Sequence, residues 1–407
     1  MRLGTSSDKE QALNLRDLMP ALQNKSYFNY GGQGPLPSPS LDSIATSWEE
    51  IQKLGPFTNN VWPYLMNEVK KTKRYLGRLC GVSSNQIALT ENVTSGCVLP
   101  LWGLPFKADQ RILIGDCEHP GVIAACREIA KRNSLKIDIL HVQQLREGLN
   151  ERNTVDELVL KELKKAIRSN TKLVVLSHVL WNTGQIMPIN LIAETLQTYP
   201  VKPYLLVDAA QSFGQIPIRD AAQTADIYAF TGHKWACGPE GLGGVAVSKR
   251  VLQDSSPTLI GWKSLQKEEG IHFANPHPFQ KDARRFEIAT SCIPLLAGLR
   301  CSLDLLETQG DVHSRLKRIQ TLSMRLWTGL KSIEGVTTIL EGPPPTGLIS
   351  FTTTSNKSAN TLVRHLGKKA LWIRVLEDPE WLRACVHITT QESEVDTLIK
   401  EIQTSIT

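Results

Sequence analysis

Several features are scarce or missing in the 407-residue sequence, and each absence removes a class of protein. The eight cysteines form no CxxC pair and no regular framework, which argues against a metal site or a disulfide scaffold and favours free thiols in a reducing compartment. The N-terminal MRLGTSSDKEQALNL has no apolar signal core, and the longest apolar stretch, VLPLWGLPF, is too short to cross a membrane. We therefore expect a cytoplasmic protein with no metal ion and no membrane association.

Blocks of like charge are also missing. The formal net charge is only +6, from 46 Lys and Arg against 40 Asp and Glu residues, and these charges are scattered along the chain. The small excess argues weakly for an anionic small ligand and against nucleic acid as a partner. A composition of 41% apolar and 21% charged residues is that of an ordinary globular protein.

Short apolar runs alternate with longer segments of helical period in the first part of the chain. RILIG is followed by GVIAACREIAKRN, and KLVVLSH by NLIAETLQTY; the runs YLLVDAA, DIYAF and GGVAVSK come next. Continuous Val, Ile and Leu runs between amphipathic helices indicate an α/β protein with a mainly parallel central sheet that is covered on both faces. The chain is also longer than one hydrophobic core usually allows, so a second domain is expected.

The pattern changes near residue 295. A long helical stretch precedes the strand patterns VTTIL and GLISFTT, a helix near 358–367, the strand patterns ALWIRVL and WLRACVHI, and a closing helix, which is an α+β layout. We predict a large domain over residues 31–294 and a smaller C-terminal domain over 295–407, with the segment 1–30 packing on the small domain. The motif PPPTG at 343–347 is interpreted as a turn between strands.

Polar residues follow several of the strand-like runs, at the edge where parallel sheets place their ligands. Asp208 ends one run, and Lys234 follows another within the turn TGHKW. A structural Asp–Lys ion pair explains these two residues as well as a functional pair does. A lysine that binds pyridoxal phosphate (PLP) and an aspartate that keeps its ring nitrogen protonated are, however, the recurrent pair of PLP enzymes.

Other polar residues after the strands would complete a PLP site. Thr94 and Ser95 open a segment where backbone N–H groups and hydroxyls can bind a phosphate, and Thr231 and His233 add two donors beside Lys234. Helix capping alone would explain one hydroxyl and not the whole set.

Two further residues suit the cofactor ring. Gln211 is placed to reach the phenolic oxygen, and the flat side chain of His119 is suited to stack on the ring. A lone histidine in such a position is more often a surface or core residue.

The ordered motifs ENVTSG, EHPG, WNTG, VDAAQ, TGHKW, RRFEIATS and RACVH resemble those of class V aminotransferase-like PLP enzymes, the group of cysteine desulfurases and selenocysteine lyases. The segments YFNYGGQGPLP, WNTGQ and FEIATS are most similar to the cyanobacterial L-cysteine/cystine C–S lyases. This resemblance spans roughly residues 25–390. It implies the aspartate-aminotransferase-like fold (fold type I), PLP as the cofactor and a homodimer.

The resemblance also implies roles for individual residues. Lys234, Asp208 and His119 match the catalytic residues, as the cofactor-binding lysine, the partner of the ring nitrogen and the stacking residue. The remaining residues implied to bind the cofactor are Thr94, Ser95, Asn182, Gln211, Thr231, His233 and Thr290, the last reaching the phosphate in the neighbouring subunit.

For the substrate, Arg383 matches the arginine that binds the α-carboxylate, a task suited to a planar bidentate donor. Arg374 and Asn182 are the other implied substrate contacts. In similar desulfurases a mobile cysteine follows the first arginine, whereas here Arg374 is followed by VLEDPEW, with Pro379 in place of the thiol. Cys385 can share a strand face with Arg383, but we interpret it as a small core residue.

We therefore predict a PLP-dependent C–S lyase that acts on a small sulfur-containing amino acid. It would cleave L-cysteine or L-cystine by β-elimination to pyruvate, ammonia and either sulfide or cysteine persulfide. A cysteine desulfurase, which yields alanine and an enzyme persulfide, remains an alternative, as does a class V aminotransferase or epimerase. A non-catalytic α/β binding protein would require Lys234 to be an ordinary surface residue.

Overall fold

The computed structural model describes residues 14–147, 154–266, 279–354 and 358–406. The strands in these ranges are β1 (Ser26–Tyr27), β2 (Ile87–Thr90), β3 (Arg111–Gly115), β4 (Lys136–Leu140), β5 (Thr171–Ser177), β6 (Tyr204–Asp208), β7 (Ile227–Thr231), β8 (Gly243–Val247), β9 (Val336–Thr338), β10 (Leu348–Thr353), β11 (Leu371–Trp372), β12 (Arg374–Glu377) and β13 (Glu380–Cys385). The α-helices are α1 (Ser38–Leu54), α2 (Val61–Cys80), α3 (Val93–Trp102), α4 (Pro120–Arg132), α5 (Val155–Ala166), α6 (Ile189–Gln197), α7 (Arg219–Thr224), α8 (Lys249–Asp254), α9 (Ile293–Glu307), α10 (Val312–Lys331), α11 (Ala359–Lys368) and α12 (Glu392–Ile406).

A seven-stranded sheet forms the centre of the fold, in the order β2–β8–β7–β6–β5–β3–β4. Only β8 runs antiparallel to its neighbours within this sheet. Successive residues of β5 enter different cores, because Leu173 and Val175 pack on one face while Val174 and Leu176 pack on the other. Burial on both faces explains the continuous apolar runs. The predicted mainly parallel, two-faced α/β sheet is confirmed.

A separate antiparallel sheet follows in the C-terminal part, in the order β12–β13–β10–β9. The pattern ALWIRVL was expected to form one strand, and this was wrong. The run divides at Ile373, so that β11 pairs in parallel with β1 while β12 pairs with β13. The long helical stretch after residue 295 is likewise two helices, α9 and α10, separated at Gly310, which adopts a positive φ of 107°.

The described part of the N-terminal segment contacts several elements of the C-terminal part of the chain. Besides the β1–β11 pairing, Arg16 forms an ion pair with Glu394 at 2.8 Å, and the Phe28 carbonyl accepts a hydrogen bond from the Cys385 N–H at 2.7 Å. Residues 1–13 of the predicted 1–30 segment lie outside the described residues. The division at residue 294 stays a prediction, since α9 begins at 293 and packs on α1.

The same arrangement places the candidate site. The carboxyl ends of β5, β6 and β7 lie side by side, and the loop that leaves β5 contacts Arg383 of the β12–β13 hairpin. No helix in the described ranges is both long and apolar enough to span a membrane.

Candidate active site

Asp208 is the last residue of β6, and its side chain is only 4% exposed. One carboxylate oxygen accepts a hydrogen bond from the Ala210 N–H at 2.8 Å. Burial raises the pKa of Asp208, while the Ala210 N–H and the positive charge of Lys234 oppose the rise. No described side chain forms an ion pair with this carboxylate, so Asp208 and Lys234 do not form a simple structural salt bridge. A buried carboxylate in this position calls for another cationic partner.

Lys234 lies in the turn that follows β7, partly buried at the same edge of the sheet. Burial lowers the pKa of Lys234 to about 8; Asp208 opposes this effect, and Arg383 and Arg374 add to it. The turn is fixed by its backbone, because the Lys234 carbonyl accepts from the Cys237 N–H at 3.0 Å and the His233 carbonyl from the Gly34 N–H at 2.8 Å. Lys234 is therefore not a freely solvated surface lysine.

Two buried residues that were not predicted from the sequence, Trp235 and His387, fix the position of this turn. Trp235 is fully buried, and its indole N–H donates to the Gln211 side-chain oxygen at 2.8 Å. Its carbonyl lies 3.2 Å from the His387 Nε2, and the ring of His387 stacks on Tyr30 with centroids 4.4 Å apart. Burial lowers the pKa of His387 to about 3, so this imidazole is neutral. Both residues were visible in the motifs TGHKW and RACVH, but only as neighbours of Lys234 and Arg383.

The Gln211 amide is already engaged. Its nitrogen donates to the Gly31 carbonyl at 2.9 Å, and its oxygen accepts from Trp235. One amide hydrogen remains, so the predicted contact with the phenolic oxygen of the cofactor stays a prediction. In the described fold, Gln211 joins the N-terminal loop to the lysine turn.

Thr94 and Ser95 lie in the first turn of α3, where the helix dipole favours an anion. Thr94 is exposed, but the Ser95 N–H donates to the capping side chain of Asn92 at 2.9 Å. This cap was not predicted from the sequence. Gly96 lets the helix approach the sheet, since a Cβ there would lie 3.0 Å from the Ala229 Cβ.

Thr231 and His233 lie at the end of β7 and in the turn beyond it. The Thr231 hydroxyl and the His233 Nδ1 are 2.8 Å apart, and burial lowers the pKa of His233, with Lys234 adding to the effect. The two side chains therefore form one polar unit next to the lysine, as a shared anion contact would require.

His119 caps the N-terminus of α4, and its Nδ1 accepts from the Gly121 N–H at 3.2 Å. The ring is exposed and lies edge-on to Trp181, with centroids 6.3 Å apart. Partial burial lowers the pKa of His119; Asp208 opposes this effect, and Lys234 adds to it. A neutral imidazole beside both residues is compatible with the predicted stacking.

Asn182 and Arg383 come together through the turn after β5. Arg383 is 1% exposed, and its Nη1 donates to the Trp181 carbonyl at 2.7 Å. Its Nε and Nη2, and the Oδ1 of the buried Asn182, have no hydrogen-bond partner among the described atoms. Unpaired buried polar groups of this kind are costly, so a ligand is expected to satisfy them.

Arg374 begins β12 directly opposite Arg383 in the β12–β13 pairing. It is exposed and has no ion-pair partner in the described part of the chain. Its charge lowers the pKa of Lys234 and of Arg383, although burial is the larger cause for both. Three cationic side chains, Lys234, Arg374 and Arg383, are therefore close enough to influence one another, and Lys234 also interacts with the buried Asp208 carboxylate.

Two remaining residues differ in their relation to this cluster. Thr290 is exposed and has no described contact with the other site residues, so its predicted reach into a neighbouring subunit stays a prediction. Cys385 is fully buried on β13; a Cβ added to Gly31 would lie 3.1 Å from its sulfur and 3.0 Å from the Arg383 Nη2. Cys385 is thus a core residue that lies next to Arg383.

The donor set fits PLP. A protonated ring nitrogen would supply the cation that the buried Asp208 lacks, and the unpaired Asn182 oxygen and Arg383 nitrogens can bind the polar groups of a cofactor–amino acid pair. The Lys234 amine, with its pKa lowered to about 8, is suited to carry the aldehyde. The fold and the site together define a PLP-dependent enzyme of fold type I.

Comparison with known proteins agrees with this class. The Aminotransferase class-V family model matches residues 60–398, and the chain belongs to that family. The cofactor is PLP, and the resemblance to the cysteine desulfurase and C–S lyase group is confirmed.

Solved structures and curated relatives place the chain within the group. It is 35% identical to the cystine C–S lyase C-DES, solved in complex with its reaction product cysteine persulfide, with a TM-score of 0.88 over 95% of this chain and 98 to 99% of that one. A probable cysteine desulfurase of Pyrococcus abyssi is 24% identical over 79% of this chain and 76% of the relative. Isopenicillin N epimerase of Streptomyces clavuligerus is 26% identical over 63% of this chain and 61% of the epimerase.

Proposed function

We propose that the protein is a PLP-dependent C–S lyase that converts L-cysteine or L-cystine by β-elimination. With water, cysteine yields pyruvate, ammonia and hydrogen sulfide, and cystine yields pyruvate, ammonia and cysteine persulfide. The observation that carries the proposal is that Lys234, partly buried and with a lowered pKa, shares the site with the buried Arg383, whose Nε and Nη2 have no hydrogen-bond partner among the described atoms. The 35% identity to a cystine C–S lyase supports the same reaction.

Lys234 is the general base in this proposal. Because its pKa is lowered to about 8, a useful fraction of the amine is neutral near pH 7 and can accept the Cα proton at Nζ. Bound PLP supplies the electron sink that stabilises the negative charge left at Cα. The Cβ–S bond then breaks, and sulfur leaves with the bonding electron pair. Asp208 holds the ring nitrogen throughout, and its burial keeps water from competing for that contact.

Arg383 orients the substrate. Its Nη1 is held by the Trp181 carbonyl, which leaves Nε and Nη2 for the two oxygens of the α-carboxylate. Arg374 lies opposite on β12 and can share that carboxylate or bind the second carboxylate of cystine. The exposed Arg374 is free to adjust, whereas the buried Arg383 is fixed.

The absence of a mobile thiol favours the lyase over the desulfurase alternative. Between Arg374 and Arg383 the chain makes a tight hairpin whose connection is Asp378–Pro379, and it contains no cysteine. Cys385 is held in β13 by its backbone N–H bond to the Phe28 carbonyl. A buried strand residue cannot carry sulfur away from the site to an acceptor.

Product analysis with a cysteine variant tests the reaction. We expect the wild type to release pyruvate from cysteine and cystine, and Cys385→Ser to retain most of this activity. Cys80→Ser is the matched control, because it replaces another fully buried thiol at the end of α2. Alanine as the main product of the wild type, abolished in Cys385→Ser and kept in Cys80→Ser, would establish the desulfurase instead.

An epimerase or aminotransferase remains the less favoured activity. The relationship to isopenicillin N epimerase supports it, but that match covers less of the chain than the relationship to C-DES. Retention of the sulfur in an inverted or transaminated product would identify it.

We include a homodimer and a cytoplasmic location in the proposal. The dimer is supported by large apolar side chains left exposed on one chain, among them Trp48, Phe57, Met66 and Trp262, and by the exposed Thr290. Sedimentation velocity of the holoenzyme would test it. The location is supported by all eight cysteines being free thiols.

A further inference from the structure

The PPPTG motif ends in a segment that bonds to several parts of the site. The Gly347 N–H donates to the Gln215 side-chain oxygen at 2.6 Å, and the Gly347 carbonyl accepts from the Val386 N–H at 2.8 Å. A Cβ added to Gly347 would lie 2.3 Å from the Val386 carbonyl oxygen and 2.8 Å from the Trp235 ring, so there is no room for a side chain. Thr346 beside it is fully buried. A turn that only connected strands would not require these contacts.

The Thr346 hydroxyl reaches the turn that follows β5. Its Oγ1 donates to the Gly184 carbonyl at 2.9 Å, across 162 residues of sequence. Gly184 has a positive φ of 81°, and a Cβ there would lie 2.6 Å from the Leu348 carbonyl oxygen. The turn is closed internally by the Gly184 N–H bond to the Leu180 carbonyl at 2.8 Å. Residues 180–185, the Gly184 turn, therefore dock closely on the start of β10.

The other end of the Gly184 turn holds the substrate arginine. The Trp181 carbonyl accepts a hydrogen bond from the Arg383 Nη1 at 2.7 Å. Among the described residues, this is the one backbone group to which the buried guanidinium bonds. The next residue, Asn182, carries the buried Oδ1 that has no hydrogen-bond partner among the described atoms. One short turn thus fixes two groups that must face the same substrate.

We propose that Thr346 is a positioning residue for the substrate. Its hydroxyl fixes the Gly184 turn, and the Trp181 carbonyl of that turn orients the guanidinium fork of Arg383, the Nε and Nη2 groups that would bind a carboxylate. The inference rests on the proposed role of Arg383 as the carboxylate-binding residue. Thr346 touches neither substrate nor cofactor. Loss of its hydrogen bond leaves a buried carbonyl unpaired and lets the turn shift, and a misoriented fork loses the bidentate geometry that a carboxylate needs.

Thr346→Val removes the hydroxyl and keeps the volume, and Thr346→Ser keeps the hydroxyl. Thr338→Val is the matched control, because it removes a hydroxyl-to-carbonyl bond, to Leu340 at 3.2 Å, at the other end of the same β9–β10 connection. We expect Thr346→Val to raise the KM for cystine about tenfold with kcat within about threefold, since the bond loss affects binding more than Lys234 chemistry. Thr346→Ser should restore the KM, and Thr338→Val should leave it unchanged.

A double-mutant cycle separates positioning from a general structural role. In an Arg383→Met background, Thr346→Val should have no further effect on KM, because there is no fork left to orient. A KM rise that persists in that background, or a wild-type KM in Thr346→Val, would overturn the inference. If Arg383→Met alone leaves KM unchanged, the failure lies in the proposed carboxylate site itself.

A second perturbation keeps the test decisive if Thr346→Val does not fold. Gly184→Ala disturbs the same turn from its other side and leaves Thr346 intact. The same rise of KM is expected there, again absent in the Arg383→Met background. An unchanged KM in a folded Gly184→Ala variant would count against the inference.

Discussion

Replacing Arg383 by lysine keeps the positive charge and removes the fork, which makes it the sharpest test of how the site holds its substrate. Among the described residues the buried guanidinium donates a hydrogen bond to the Trp181 carbonyl, and its Nε and Nη2 are without a hydrogen-bond partner, so both could bind a carboxylate. A hydrogen bond to a charged group contributes about 1.5–3 kcal/mol. An ammonium keeps the charge and at most one such bond. The expected loss is therefore about 2–3 kcal/mol, or roughly a 30- to 150-fold fall in kcat/KM.

The assay is pyruvate release from cysteine and cystine, together with cofactor occupancy and the protonation of Lys234 in the apoprotein. Arg383→Lys should retain PLP and leave the Lys234 pKa lowered, because a positive charge remains nearby. Arg383→Met should raise the Lys234 pKa, since one of the charges that lower it is removed. Arg383→Lys with an unchanged kcat/KM would refute the bidentate contact, because a point charge should not replace the fork.

Three further predictions concern buried or cofactor-facing groups. Borohydride reduction of the holoenzyme and peptide mapping should place the pyridoxyl group on Lys234; a label on another lysine would contradict the assignment. Asp208→Asn should retain some PLP but lose most elimination, because an amide cannot keep the ring nitrogen protonated, and normal turnover would disprove this role. Burial raises the pKa of Glu118 from 4.5 to about 8, so its contribution to apoprotein stability is full below about pH 4.5 and is lost as the pH rises to about 8. In urea unfolding at a series of pH values, Glu118→Gln should reduce the fall in the free energy of unfolding between about pH 4.5 and 8. An unchanged pH dependence in the variant would show that Glu118 is not its source.

Much of the central sheet was predictable, because its strands are buried on both faces and their sequences are continuously apolar. Strand β4 was not predicted, and its environment differs from that of the buried central strands. It lies at the edge of the sheet, and four of the five side chains in Lys136–Leu140 are at least partly exposed, so no continuous apolar run marks it. The division of β11 from β12 could not be foreseen either. Local propensity is the same on both sides of Ile373, and only the choice of partner strand separates them.

The candidate site divides in a similar way. Residues at the end of a strand or in the turn beyond it, such as Asp208 and Lys234, could be collected from the sequence, because strand ends in parallel sheets meet at one edge. Contacts between distant segments carry no local signal. The bond from Arg383 to the Trp181 carbonyl spans 202 residues, and that from Thr346 to Gly184 spans 162. Since both acceptors are backbone carbonyls, no residue type at those positions could have indicated them.

The distinction between lyase and desulfurase chemistry depends on mobility more than on the presence of a thiol. The Cys385 sulfur and the Arg383 Nη2 lie 3.1 Å and 3.0 Å from the position that a Cβ on Gly31 would take, so proximity alone would permit a role in sulfur transfer. A persulfide carrier must nevertheless approach the substrate sulfur and then leave with it. Cys385 is paired in β13 with Leu348 and bonded through its N–H to Phe28, so moving it would break sheet hydrogen bonds on both sides. The flanking hairpin between Arg374 and Arg383 is itself fully paired up to its tip. The strands that carry Arg374 and Arg383, the proposed carboxylate-binding residues, are therefore the ones that prevent the thiol from moving, which favours the proposed expulsion of sulfur by elimination.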